Sequence, residues 1–97
     1  MALSGLASIC YTIGDVVLFT DSAFRHGYQE EDFYEVLESR PFKTRSRRGL
    51  KDVYEILGRN HAGDHLHVVL REDAGVTTVF HILRMNQRQK RLYRSQR

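Results

Sequence analysis

Val53-Tyr54-Glu55-Ile56-Leu57, Leu66-His67-Val68-Val69-Leu70-Arg71 and Val76-Thr77-Thr78-Val79-Phe80-His81-Ile82-Leu83 are the runs whose reading decides the fold. Each is rich in the β-branched and aromatic residues that suit a pleated, half-buried surface. They are separated by Arg59-Asn60-His61-Ala62-Gly63-Asp64 and by Asp73-Ala74-Gly75. Both connections carry a glycine and an aspartate, so both read as hairpin turns and the runs as an antiparallel meander. The last run ends on Arg84, and Arg84, Arg88, Lys90, Arg91, Arg94 and Arg97 then follow with no acidic residue among them. A sheet thus delivers the chain into a wholly basic segment, in which Gln, Lys and Arg favour a short helix with a thin apolar stripe of Met85 and Leu92.

Upstream of the meander, Val16-Val17-Leu18-Phe19 reads as a first strand. Asp21 or Ser22 is a helix N-cap and Gly27 a stop, so Ser22 to His26 has room for one or two helical turns. The helix Gln29 to Ser39 is the clearest element. Glu30, Glu31 and Asp32 complement the dipole of its first turn, while Phe33, Val36 and Leu37 share the apolar face. Pro41 ends it. Phe42 to Ser46 reads as a further strand, and Arg47-Arg48-Gly49 as a turn. The order predicts an α+β fold: an antiparallel sheet of three to five strands, two N-terminal helices packed on one face, and a short basic C-terminal helix. Strict alternation in the last strand puts Val76, Thr78, Phe80, Ile82 and Arg84 on one face and Thr77, Val79, His81 and Leu83 on the other.

The 97 residues suffice for one domain with a modest core. We assign residues 13–97 to that domain and read residues 1–12 as a flexible N-terminal extension. With 28% charged and 41% hydrophobic residues the composition is that of an ordinary globular chain. The net charge of +3 is mild, but it is unevenly spread. Glu30, Glu31, Asp32, Glu35 and Glu38 crowd one stretch, and Arg40, Lys43, Arg45, Arg47, Arg48 and Lys51 follow it. Such asymmetry points to a polyanionic partner. A lone Cys10 forms no disulfide within the chain and fits a reducing compartment, with the cytoplasm as the default. A secretory signal is not expected, because no Lys or Arg precedes Arg25 and Asp15 interrupts the apolar start; neither is a membrane span.

His61, His65 and His67 lie close in sequence, but no cysteine or second cluster completes a metal site of recognisable spacing, so no metal is expected. No glycine-rich phosphate loop follows a strand, and no cofactor is expected. Phosphodiester chemistry on a nucleic acid finds more support. It needs cations to neutralise the phosphate and an acid and a base to move protons. Arg59, Arg84, Arg88 and Arg91 are candidates for the first, and His26, His81, Tyr93 and Glu30 or Glu31 for the second. Each has a plainer reading as well: solvated arginines, a cation at the end of a short helix for His26, first-turn helix residues for the glutamates, and a packed ring for Tyr93.

Arg25-His26-Gly27 followed by Gln29-Glu30-Glu31-Asp32-Phe33 resembles the Lys-His-Gly-Val-x-x-Glu-Glu segment of BrnT-type toxins. Tyr54 to Val69, with Ile56-Leu57-Gly58-Arg59 and Gly63 within it, is similar to that family's Ile-Gly-Arg-x-x-x-Gly-x-x-Leu-x-Val-Val stretch. His81-Ile82-Leu83-Arg84 with Arg88, Lys90, Arg91 and Tyr93 resembles its Ile-Ser-Ala-Arg signature and basic tail. The likeness runs in order from Phe19 to Tyr93. It departs at the family's Trp-Asp-x-x-Lys opening, of which only Phe19-Thr20-Asp21 remains, and at Ile82-Leu83 in place of Ser-Ala. Tyr93 also sits about one residue closer to the signature arginine.

The resemblance implies a RelE-like fold and the toxin of a toxin–antitoxin pair. Such toxins are metal-independent ribonucleases, in which a ribose 2′-hydroxyl attacks the adjacent phosphate, and a cognate antitoxin protein neutralises them. Carried onto this sequence, Arg59 and Arg84 brace the phosphate, His26 or Glu30 or Glu31 manages protons, and Tyr93 completes the catalytic set. Arg45, Arg47, Arg48, Arg88, Lys90 and Arg91 would bind the RNA, including mRNA on the ribosome. Two other readings stay open: a non-catalytic nucleic-acid-binding module on the same fold, and a protein-interaction domain docking through the acidic helix or the basic tail.

Overall fold

The computed structural model of the chain describes residues 16–46 and 50–96. The expected extension over residues 1–12 and the turn Arg47-Arg48-Gly49 lie outside the described residues. The elements are β1 (Val16–Phe19), a 3₁₀ turn (Asp21–Phe24), α1 (Glu30–Glu38), β2 (Phe42–Arg45), β3 (Val53–Arg59), β4 (His65–Asp73), β5 (Val76–Arg84) and α2 (Gln87–Ser95). They form an α+β fold on one sheet of order β1-β5-β4-β3-β2.

The meander appears as the sequence predicts, with β2, β3, β4 and β5 paired antiparallel in chain order. Its two hairpins follow from turn chemistry. In the β3–β4 connection the Asn60 side-chain carbonyl accepts from the Asp64 amide at 2.9 Å, and Gly63 takes a φ of 90°. Between β4 and β5, Ala74 and Gly75 both have positive φ, 51° and 81°. That conformation matches the right-handed twist of the flanking strands.

The sheet is mixed, which corrects the expectation of a wholly antiparallel one. β1 pairs parallel with β5, Val16 opposite Val76 and Phe19 opposite Val79. Each antiparallel step from β2 to β5 reverses the chain, and the last leaves β5 running in the direction of β1. Two hydroxyls continue the contact beyond the strand: Ser22 Oγ donates to the Phe80 carbonyl at 2.7 Å and Thr20 Oγ1 to that of Val79 at 3.3 Å. The expected pair of N-terminal helices is also corrected. The first is a single 3₁₀ turn, because Gly27, at a φ of 89°, stops it before a helical nucleus can propagate.

α1 buries Phe33, Val36 and Leu37 as its periodicity requires, against Ile56, Leu66, Val68, Leu70, Val79 and Ile82 of the sheet. The Asp32 carboxylate closes its first turn by accepting from the Gln29 amide at 2.8 Å. Gly58 admits the helix at close range, since a Cβ there would lie 2.8 Å from both Ser39 Oγ and Val36 Cγ1. β5 does not alternate strictly. A bulge shifts the register between Val69 and Leu70, so that Val69 faces His81 while Leu70 faces Val79, with Phe80 as the extra residue. Thr77, Val79 and Ile82 consequently share the buried face, a grouping that strict alternation does not give.

α2 packs on the opposite face. Asn86 caps it, its side chain accepting from the Gln89 amide at 2.8 Å while Gln89 returns a bond to the Asn86 amide. Tyr93 and Leu92 then close over Leu57, Met85 and Phe42 in a second, smaller cluster. Among the described residues no helix is long and apolar enough to cross a membrane.

Candidate functional site

One face of the sheet is covered by α1, while the other is covered by α2 at one end only. Residues of that second face beyond Leu57 are therefore left in the open. Strand pairing defines them: Val69 lies between Glu55 and His81, His67 between Leu57 and Leu83, and Arg71 between Val53 and Thr78. With the rim formed by Ser22 and His26 on one side and Ser46, Leu50 and Lys51 on the other, they enclose a cleft of about 740 Å³. That size lies within the range of ligand pockets.

Apolar and ionisable residues alternate along its lining. Val53, Val69, Phe80 and Leu83 line it together with His26, His67, His81, Glu55, Lys51 and Arg71. His67 Nε2 is 2.9 Å from Glu55 Oε1, and their side chains are 12% and 25% exposed. Glu55 is the only carboxylate among the lining residues, against the cations of Lys51 and Arg71. The cleft thus offers fixed positive charge, protonatable imidazoles and an apolar surface on which a flat ring can lie.

Among the described residues no group of His, Cys, Asp and Glu converges to hold a metal ion. The three histidines close in sequence are sent apart by the hairpin. His61 bonds Glu38 through Nε2 at 3.0 Å and faces Glu35 through Nδ1 at 3.5 Å, on α1. His65 packs edge-on against Tyr93, with 5.8 Å between ring centroids, and His67 points into the cleft. The hydrogen bond to Glu38, aided by the charges of Glu35 and Glu38, raises His61 above the ordinary histidine value.

Of the residues the sequence singles out, His26 and His81 meet in the cleft. Arg59 and Arg84 emerge elsewhere, at the end of the sheet beside the β3–β4 turn. An Arg59 terminal nitrogen lies 3.4 Å from the position a Cβ of Gly63 would take. Arg84, 75% exposed, donates from Nε to the Tyr28 hydroxyl at 3.0 Å and stands 3.8 Å from Asp64 Oδ2. Its guanidinium is held still more firmly protonated by the Tyr28 bond and the Asp64 charge. The Tyr28 hydroxyl in turn donates to Asp64 Oδ2 at 3.4 Å, and Asn60 donates to Asp32 at 3.0 Å, fastening the turn to the start of α1.

Glu30 is exposed in the first turn of α1. Tyr93 is 1% exposed and belongs to the core beneath α2. Arg45 is exposed at the end of β2, its guanidinium 5.9 Å from the centre of the Tyr54 ring. Arg88 and Arg91 are exposed on α2 and Lys90 is half-buried. Arg47 and Arg48 lie outside the described residues.

No protein-family model, curated protein or solved structure matches the chain. The likeness to BrnT-type toxins therefore stands on the order and spacing of short motifs.

Glu55, His67, Lys51 and Arg71 line the cleft without having been assigned to a site by the sequence, which offered His67 only for a metal and Lys51 only within a basic run. A signal for the first two existed. The hairpin register implied by the Asn60–Asp64 turn places Leu57 opposite His67 and Glu55 opposite Val69, so a carboxylate and an imidazole stand diagonally across one face.

Proposed function

We propose that the cleft binds RNA and cleaves it without a metal, by attack of a ribose 2′-hydroxyl on the neighbouring phosphate, and that the chain is the toxin of a toxin–antitoxin pair. The observation that carries this reading is the convergence of His26 and His81 with Lys51 and Arg71 in one cleft. Cleavage by internal attack requires a proton taken from one oxygen and given to another, which a set of imidazoles supplies. It also requires cations beside the phosphate, which Lys51 and Arg71 supply. Single-stranded RNA suits the apolar part of the lining, since unstacked bases lie on aromatic and apolar side chains. The exposed Arg88 and Arg91 of α2 extend the basic surface from the covered end of the same face. The resemblance adds the antitoxin as the protein partner.

Labelled RNA incubated in EDTA with the wild-type chain and with His26→Ala and His81→Ala tests the reading. Wild-type cleavage leaving 2′,3′-cyclic phosphate ends, lost in the variants, is the expected result. Intact RNA with the wild type refutes the ribonuclease, and a gel shift of that same RNA leaves a binding module in its place. In cells, the wild-type chain expressed alone arrests growth and the His81→Ala chain does not.

A further inference from the structure

We infer that His67, oriented by Glu55, is the general base of the cleft and that His81 is the acid facing it. This rests on the ribonuclease reading of the same site and assigns its chemistry to residues that the resemblance does not. His67 pairs with Leu83 and His81 with Val69, so the two histidines are diagonal neighbours on β4 and β5, on the face that α1 leaves open. Such neighbours stand roughly 7–8 Å apart. A phosphate fits between imidazoles at that separation, with one ring beside the attacking oxygen and the other beside the leaving oxygen.

What distinguishes the two rings is Glu55. Its carboxylate lies 2.9 Å from His67 Nε2, and an acceptor-only partner holds the proton on that nitrogen. The lone pair is then on Nδ1, which has no hydrogen-bond partner among the described residues. A carboxylate behind an imidazole both fixes the tautomer and stabilises the imidazolium that forms when the ring accepts a proton. His81 and His26 have no such carboxylate among the cleft residues. His26, exposed at the rim after the 3₁₀ turn, is left to contact phosphate.

The ribose 2′-hydroxyl gives its proton to His67 Nδ1 as its oxygen bonds to phosphorus. The bond from phosphorus to the 5′-oxygen breaks, and that oxygen takes a proton from the His81 imidazolium. The products are a 2′,3′-cyclic phosphate and a 5′-hydroxyl, and exchange with water restores both rings. Glu55 acts only through His67 and is a positioning residue.

A pair of this kind has a purely architectural alternative, as a tie between β3 and β4. Substrates that differ in leaving group separate the two. A 5′-bridging phosphorothiolate releases a thiolate that needs no proton, so it relieves the loss of an acid and leaves the loss of a base in full. His67→Ala is expected to lose roughly 10²–10⁴-fold in kcat on oxygen- and sulfur-bridged RNA alike. Added imidazole restores part of that loss. His81→Ala is expected to be slow on the oxygen substrate and close to wild type on the sulfur one. Glu55→Gln, which keeps the side-chain size and an acceptor oxygen and so opens no hole, is expected to lower kcat with KM unchanged.

His67→Ala cleaving at the wild-type rate, or recovering on the sulfur substrate, overturns the base assignment while the ribonuclease reading stands. A lower urea midpoint for Glu55→Gln, with kcat at the wild-type level in buffer where the variant is folded, reduces the pair to a tie. Failure of the wild type to cut either substrate overturns both the inference and the reading beneath it.

Discussion

Gly58→Ala tests the seating of α1 on the sheet. The added methyl carbon would fall 2.8 Å from Ser39 Oγ, 2.8 Å from Val36 Cγ1 and 3.2 Å from the Val36 carbonyl oxygen. Relaxed contacts lie at about 3.5–4.0 Å, so the C-terminal half of α1 must lift by about 0.8 Å or its side chains must rotate. Neither is easy. Val36 is fully buried, and Ser39 Oγ is fixed by donating to the Val36 carbonyl at 2.6 Å and accepting from the Arg59 amide at 3.0 Å. Overpacking of a filled core costs about 1–3 kcal/mol. Weakening the serine bonds adds about 1 kcal/mol. The lower entropy of the unfolded chain with alanine returns about 0.5–1 kcal/mol. The net loss is about 2 kcal/mol, a large part of the roughly 5–10 kcal/mol available to a domain of this size. Urea unfolding followed by far-UV circular dichroism reads it as a fall in midpoint of about 2 M, at a slope of about 1 kcal/mol per M. Because the clash is with Val36, the double variant with Val36→Ala is expected to lose about 1 kcal/mol less than the two single losses combined. An unchanged midpoint for Gly58→Ala, or strict additivity in the double variant, refutes the close seating of α1.

Other perturbations reach other parts of the molecule. Asn86→Ala removes the N-cap of α2 and is expected to lower stability by about 1 kcal/mol in the same urea assay. His61 is raised above the ordinary histidine value, so its contribution is fully present below the unfolded value and is lost as pH rises through the folded one. The wild type should accordingly exceed His61→Gln in urea midpoint at about pH 5.5 and lose that advantage by about pH 8.5. Arg71→Ala is expected to weaken binding of single-stranded RNA and to reduce the slope of log K against log salt by roughly 0.7, measured by fluorescence anisotropy. An unaltered slope would place Arg71 outside the RNA path.

The meander and α1 were legible because each rests on local signals that agree. The β-branched runs between Asn60–Asp64 and Ala74-Gly75 leave few alternatives to hairpins, and Phe33, Val36 and Leu37 fall on one helical stripe. Long-range features were not legible in the same way. Val16–Phe19 is too short to specify its partner or direction, and its parallel place beside β5 is set only by the assembled sheet. The Phe80 bulge depends on the fit between β4 and β5, and it regroups Thr77, Val79 and Ile82. For the site, His26 and His81 could be named by residue type. Their meeting with His67 and Glu55 depends on the register of β3, β4 and β5, and the uncovered part of that face on where α2 comes to rest, which Leu57, Met85, Phe42 and Tyr93 decide together. Tyr93 illustrates the limit of motif reading, since its place in the tail invites a chemical role and its burial gives it a packing one.

The parallel pairing of β1 with β5 also orders events in time. Residues from Phe42 onward close their contacts with near neighbours along the chain, whereas Phe19 must wait for Val79, and loops of that length close late. The segment that joins last carries Ser22 and His26, one wall of the cleft. It is tied to the sheet by four strand residues and the Thr20 and Ser22 hydroxyls. Such a segment opens at a lower free energy than the strands beneath it, so its amides exchange with solvent before those of β4. That wall of the cleft, with Ala23 and Phe24 beneath it, can therefore loosen while the β3–β4 hairpin holds.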